Sequence, residues 1–277
     1  MDILPVGYHA YAPDLRGCGQ SGHTEDGHNI EQLALDVYEF VQSLNLQALH
    51  LIGHSLGGAV AMQLALDYPE LVKDLLLVGS VPADGMPAVR KNSEHSSWIL
   101  EIIGLFNPQK IISKMSSGTL ESTYQTLQNL PGTRHLLRRA LAMMTPSWEH
   151  DNNPFFEELI NDAGRMSPKA MAGHLTSLET WNILSRLKEL SIPVMILLGG
   201  RDILVSREQM ENTIKELKYG ILVVWDDVGH SPQIEQPVRF VKLMMDFIGK
   251  NEEEKPPVGL VVNLWQKLRK MLKIILQ

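Results

Sequence analysis

The stretch ALHLIGHSLGG, residues 48–58, decides how the chain is read. Its first part, Ala48–Ile52, is an apolar run of strand length. Its last part opens Leu56–Leu66, a helix-length segment of small and apolar residues suited to close packing on a sheet. Between them stands Gly53-His54-Ser55-Leu56-Gly57, a G-x-S-x-G set between strand and helix. That context is what a nucleophile elbow requires, because the serine must stand on a tight strand-to-helix turn so that its Oγ projects free of the sheet. Gly53 and Gly57 are read as removing side chains that would clash across the turn. The N–H of Leu56 then lies at a helix N-terminus, where it can donate to a developing oxyanion.

Working outward, short apolar runs alternate with helical patterns. The expected strands are Tyr8–Ala12, Ala48–Ile52, Leu75–Gly79, Pro193–Leu198 and Ile221–Trp225. The middle three are continuously apolar, as strands buried on both faces of a parallel sheet are. Ile30–Leu44 carries Leu33, Val37, Phe40, Val41 and Leu44 at helical spacing, with Asn29 and Gln32 as a capping-box pattern. Ser206 with Gln209 opens a helix to about Leu217, and Pro237 precedes a last core helix over Val238–Ile248. The pattern is that of a doubly wound, mostly parallel α/β fold.

Residues 86–182 break the rhythm. Ser93–Leu105, Leu120–Leu130, Thr133–Met144, Pro154–Arg165 and Pro168–Leu187 are helical, prolines punctuate them, and no strand is expected. This reads as a helical cap (86–182) inserted in a core made of 1–85 and 183–250. The cap's methionines and aromatics, among them Met143, Met144 and Trp148, with Trp181 at its end, form either its own small core or an apolar wall for substrate. Residues 251–277 begin with the linker NEEEKPPVG. Beyond it, Leu260–Leu276 places Val261, Leu264, Trp265, Leu268, Met271, Leu272 and Ile275 on one face, with Lys267, Arg269, Lys270 and Lys273 in the same segment. Peripheral contact with an anionic membrane, docking on its own domain, covering an exposed sheet edge and self-association through 258–277 stay open.

Charge and cysteine content exclude several classes. Lys and Arg number 25 against 32 Asp and Glu, a net charge of −7, which offers no basic surface to nucleic acid. The single cysteine, Cys18, excludes an internal disulfide framework and multi-cysteine metal sites. His150-Asp151 and His174 have no metal spacing, and neither metal nor cofactor is expected. No basic region followed by an apolar stretch opens the chain, and no spanning-length apolar run occurs, so the expected location is cytoplasmic.

A serine nucleophile needs a base, and the base an orienting acid. Gly199-Gly200-Arg201-Asp202 follows one buried strand and Gly229-His230-Ser231-Pro232 the next. Both groups therefore fall on the sheet edge where Ser55 emerges, the edge at which ligands bind in open α/β sheets.

Four motifs carry a resemblance: APDLRGCGQS (Ala12–Ser21), GHSLGG (Gly53–Gly58), IPVMILLGGRD (Ile192–Asp202) and VGHSPQIEQP (Val228–Pro237). Together they resemble the α/β-hydrolase superfamily, in its cap-bearing esterase and haloperoxidase-like branch, over residues 8 to about 248. The resemblance implies Ser55 as nucleophile, His230 as general base and acid, Asp202 as the orienting carboxylate and Leu56 N–H as one oxyanion donor. It implies a loop-shaping role for Asp14 and Arg16. Family members place further strands and an HG-x-P-like loop, source of the second oxyanion donor, ahead of the APDLRG-like strand. The expectation is an N-terminally truncated version of the fold. Three arrangements stay open: an incomplete chain, direct pairing of Tyr8–Ala12 with Ala48–Ile52, or another segment in the missing strand's place.

Neighbouring candidates are given plainer roles. His54 is read as packing or shaping, Asp84 as a weaker match than Asp202, Asp226 and Asp227 as a solvated loop, and Cys18 as an inert thiol. The expected function is a serine hydrolase acting on a small to medium, mainly apolar carboxylic ester. Thioester or carbon–carbon hydrolysis, acyl transfer, or a non-catalytic binder of the same fold are the alternatives.

Overall fold

The computed structural model describes residues 7–86, 121–122, 125, 132–148, 154–163, 165–253 and 260–261. The described core elements follow in chain order: α1 (Ile30–Ser43), β1 (Leu49–His54), α2 (Leu56–Asp67) and β2 (Val72–Val78). After them come α3 (Thr133–Met144), α4 (Pro154–Ala163) and α5 (Pro168–Thr180). The chain then returns to the sheet with β3 (Val194–Gly199), α6 (Arg207–Lys215), β4 (Gly220–Trp225), α7 (Pro232–Glu235), α8 (Pro237–Glu253) and β5 (Leu260–Val261). The five strands lie in the order β1-β2-β3-β4-β5, every pair parallel. Between 87 and 182 no described residue lies in a strand.

Local chemistry sets the helix starts. Asn29 Oδ1 accepts the Gln32 N–H at 2.8 Å and caps α1. Ser206 and Gln209 form a reciprocal capping box on α6. Ser167 caps α5, with Pro168 in the first turn, where its missing N–H loses nothing.

The sheet separates two apolar layers, as the period of two along each strand dictates. Leu75, Leu77, Ile196 and Leu198 face one side, packed with α1 and α2 residues such as Ile30, Leu33, Val60 and Leu64. Leu76, Val78, Met195, Leu197, Val223 and Trp225 face the other, against Phe240, Leu243, Met244 and Phe247 of α8. β2 and β3 are thus covered on both faces, as expected.

β1 is not. Among the described residues it pairs with β2 alone and forms an edge of the sheet. Ile52 and Leu76 are register partners, yet Ile52 is 43% exposed and Leu76 1%. The apolar run LHLI reads as a central strand because β-branched and aliphatic residues carry no mark of the edge. The expected strand at Tyr8–Ala12 is also absent: residues 8–12 are irregular and exposed, and do not pair with β1. Without a neighbouring ladder, nothing satisfies the backbone of an isolated strand. Tyr11 instead lies edge-on to Phe40 of α1, and His9 stacks on Tyr11.

Two further differences lie near the C-terminus. α8 runs on to Glu253, so the expected linker begins inside it. Leu260–Val261, placed at the start of an amphipathic helix by the sequence, pairs with β4 as a short parallel strand. Residues 262–277, with most of that segment, and Ser93–Leu105 and most of Leu120–Leu130 lie outside the described residues. Among the described residues no helix is long and apolar enough to cross a membrane.

α5 returns the inserted region to the core. Its Ser177 Oγ accepts the Ile30 N–H at 3.0 Å, and His174 sits edge-on to His28 with ring centroids 6.0 Å apart. Trp181 follows α5 and is buried in the main core, where its indole N–H donates to Gln63 Oε1 of α2 at 2.9 Å. It is therefore a packing residue rather than part of a substrate wall. Burial, with His28 alongside, pushes the His174 pKa down to about 4.

These placements have measurable consequences. Leu76→Ala is expected to cost about 2–5 kcal/mol, and Ile52→Ala about 1 kcal/mol or less, read from urea midpoints at unchanged slope. A comparable cost at Ile52 would contradict the edge position of β1. His174 stays neutral when folded and takes up a proton near pH 6.5 when unfolded. Its contribution is therefore fully present above pH 6.5 and is lost as pH falls toward 4. His174→Gln is expected to flatten the loss of stability over that window, by about 1 kcal/mol per pH unit at most. Denaturation of both proteins at a series of pH values checks this.

Candidate active site

Ser55 stands between β1 and α2 with φ 53° and ψ −120°. This is a sparsely allowed conformation for a residue with a side chain. Three backbone bonds hold it: Ser55 N–H donates to Val78 O (3.1 Å), and Ser55 O accepts from Gly58 (2.9 Å) and Val81 (3.1 Å). A Cβ on Gly53 would lie 2.5 Å from Gly57 O, and one on Gly58 would lie 2.1 Å from Ser80 Oγ. Gly57 faces open space, so the second glycine that the turn demands is Gly58, not Gly57. Leu56 is the first residue of α2, where backbone N–H groups have no partner within the helix.

Asp202 follows β3 in a tight turn closed by its own N–H on Gly199 O. Its Oδ1 accepts from Leu204 N–H (2.8 Å) and Val205 N–H (3.1 Å), and its Oδ2 lies 2.9 Å from His230 Nδ1. The two side chains are 0% and 1% exposed. A carboxylate only accepts, so Nδ1 carries the proton and Nε2 keeps its lone pair. His230 Nε2 is buried and, among the described residues, has no hydrogen-bond partner. A buried ring nitrogen without a partner is costly in a structural histidine and is what a general base requires.

His54 brings the two halves of the site together. It precedes Ser55, and its ring centroid lies 4.9 Å from that of His230. Its Nε2 is 3.1 Å from the His230 carbonyl, which only accepts, so His54 Nε2 is the donor. Ser231 Oγ lies 3.3 Å from the same nitrogen. Burial, then the neighbouring His230, pushes the His54 pKa down to about 4 and keeps this ring neutral at pH 7.

Other sequence candidates fall into plainer roles. Met143 is half exposed; Met144 ends α3 and its carbonyl accepts the His230 N–H, and Trp148 lies in the turn that follows α3. Trp148 meets Phe156 edge-on. Asp14 and Arg16 do not pair with each other. Asp14 accepts from Gln20 N–H and Ser21 Oγ, closing its own loop, while Arg16 grips Asp36 of α1 with two nitrogens. A cleft of about 320 Å³ between this loop and α1 has no triad candidate in its wall. Asp227 is exposed and pairs with Arg239. Burial, then Asp14, pushes the Cys18 thiol up and keeps it protonated. Among the described residues no group of three His, Cys, Asp or Glu could hold a metal ion.

One residue was missed by the sequence reading. Glu235, inside the VGHSPQIEQP motif, is buried and accepts from Gly229 N–H and from Ser147. The only signal was an acid five residues past the histidine, between Ile234 and Gln236.

Comparison with known proteins places this geometry. The family described as alpha/beta hydrolase fold matches residues 2–237. The chain is 22% identical over 245 residues to a putative carbamate hydrolase, RutD, of Pseudomonas savastanoi pv. phaseolicola, covering 85% of this chain and 81% of the relative. Similar solved structures include a thermophilic esterase from Thermogutta terrifontis, with TM-score 0.65, 21% identity, and 86% of this chain and 79% of that chain covered. Bromoperoxidase from Bacillus anthracis gives a TM-score of 0.64 at 18% identity, covering 85% and 80%. At such identities the structures speak for the fold alone. With most of its length matched and its sheet and helices arranged accordingly, the chain belongs to the α/β-hydrolase fold family.

Proposed function

We propose that the protein is a serine hydrolase of small to medium, mainly apolar carboxylic esters. The observation that carries this reading is the state of His230. Its Nδ1 is engaged by a buried carboxylate, and its Nε2 is buried with a free lone pair on the ring packed beside the Ser55 elbow.

The reaction follows from these placements. Ser55 Oγ attacks the acyl carbon as its proton passes to His230 Nε2. Asp202 holds the ring in the required tautomer and stabilises the imidazolium. Leu56 N–H donates to the oxygen on which negative charge develops. The tetrahedral intermediate collapses, and the alcohol leaves with the proton from His230. Water then gives its proton to His230 and attacks the acyl-enzyme. The acid is released, and Ser55 regains its proton.

The esterase among the similar structures supports an ester as the leading substrate. The RutD relative brings carbamates into the test panel beside thioesters and carbon–carbon substrates. A second reading, a ligand binder of the same fold without turnover, is favoured by one observation: among the described residues Ser55 Oγ makes no hydrogen bond to His230 Nε2.

A fluorophosphonate probe separates the two. Labelling of the wild type is expected, with none in Ser55→Ala. Asp202→Asn and His230→Ala are expected to lower ester turnover by about 10³–10⁴ while the protein stays folded. A folded, monodisperse wild type that takes no label and turns over none of the panel would establish the binder. Label that persists in Ser55→Ala would remove Ser55 as nucleophile.

A further inference from the structure

We propose that Glu235 is a positioning residue that clamps the turn after α3, in the cap, to the loop carrying His230, so that the place of the base is set by the place of the cap. The proposal rests on the reading of His230 as general base.

Glu235 ends the short helix α7 and is 6% exposed. Its Oε1 accepts the Gly229 N–H at 2.8 Å. Its Oε2 accepts the Ser147 N–H at 3.0 Å and the Ser147 hydroxyl at 2.7 Å. Gly229 adjoins the base, whereas Ser147 lies 88 residues from Glu235, in the turn that ends α3. No Lys, Arg or His among the described residues forms an ion pair with it. The carboxylate is therefore offset by N–H and O–H dipoles alone, drawn from both segments at once. Burying a carboxylate is expensive, and a packing role would be served as well by an apolar side chain.

The same two segments meet twice more. His230 N–H donates to Met144 O at 2.8 Å. A Cβ on Gly229 would lie 2.3 Å from Met144 O and 2.4 Å from Pro146 Cδ, so the two backbones approach as closely as glycine permits. On its other side the loop is held by His54 on the His230 carbonyl. The base is thus gripped between the elbow and the cap, and Glu235 is the side chain that touches both the loop and the cap turn. A cap turn displaced from Glu235 would draw Met144 O off the His230 N–H and tilt the ring on Asp202. Misplacement of about 1 Å is enough to cost roughly 10²-fold in rate.

The test uses the full chain, with backbone amide exchange and fluorophosphonate labelling rate measured on the same samples. Glu235→Gln keeps the size and loses one acceptor. It is expected to speed exchange at Gly229 and Ser147, and also at His230, whose N–H partner is Met144 rather than Glu235. Labelling is expected to slow about 10- to 100-fold. On any ester turned over, the loss is expected in kcat, with KM within about 3-fold. Ser147→Ala keeps its backbone N–H and loses only the hydroxyl, and is expected to slow labelling about 2- to 5-fold. The double variant is expected to be no slower than Glu235→Gln alone, because both act through one contact. If Glu235→Gln does not fold, Ser147→Ala is read at the same amides. An unchanged His230 amide, or a wild-type labelling rate in folded variants, overturns the clamp. A wild type that takes no label overturns the hydrolase reading instead, and exchange at His230 still decides the clamp.

Discussion

The conformation of Ser55 costs free energy, of order 1–3 kcal/mol for a non-glycine residue with φ near +53°, and it persists only where the surroundings over-determine it. Parallel pairing of β1 with β2 supplies that determination. The ladder from Leu49 to His54 ends in the bond from Ser55 N–H to Val78 O, and the chain after β2 returns Val81 N–H to Ser55 O. The first turn of α2 adds Gly58 N–H to the same carbonyl. The serine is thus fixed from the strand, the neighbouring strand end and the helix. Everything else in the site is placed relative to that fixed point, because β3 and β4 stack beside β2 in register and end on the same edge.

The order of the strands then brings Asp202 and His230 together without any long excursion. Asp202 leaves the end of β3, and His230 leaves the end of the adjacent β4. Gly200 N–H on Trp225 O and Arg201 N–H on Val228 O stitch the two strand ends to each other. The Asp202 carboxylate therefore meets the imidazole across a short, rigid span. Both groups are buried, so the field between them is weakly screened, and Leu204 and Val205 N–H groups offset the desolvation of the acid.

What was legible in the sequence follows from the range of each signal. The α1 cap and the α6 capping box were readable because each is complete within four residues, although at α1 the Gln32 side chain turns to Asp36 and leaves the box half made. β2 and β3 were readable because burial on both faces leaves a continuous apolar run. Asp202 and His230 were readable because both follow such runs directly. The edge position of β1 was not, since LHLI is as apolar as a central strand and its exposure depends on what lies beside it. Gly57 and Gly58 were indistinguishable in the motif, and only the approach of Ser80 separates them. Trp181 sat at the end of a segment read as a cap rich in aromatics, whereas it is buried with its indole N–H on Gln63 of α2, a residue remote in sequence. Glu235 gave no periodic signal, because its partner Ser147 is remote in sequence.

Two neighbouring imidazoles in one site, tilted 52° to each other, pose a problem of proton accounting, which the hydrogen bonds resolve. If both rings could take a proton, the charge acquired from Ser55 would be shared and the base weakened. His54 cannot share it readily. Its Nε2 already carries the hydrogen given to the His230 carbonyl, and burial beside His230 holds its pKa near 4. Protonating its remaining nitrogen would place a second positive charge 4.9 Å, centre to centre, from the first. Of the two rings only His230 has a carboxylate at its Nδ1, at 2.9 Å, so positive charge arriving on that ring is met by Asp202. In the proposed reaction the proton therefore stays on the ring that returns it to the leaving group, and the neighbouring histidine serves by remaining neutral.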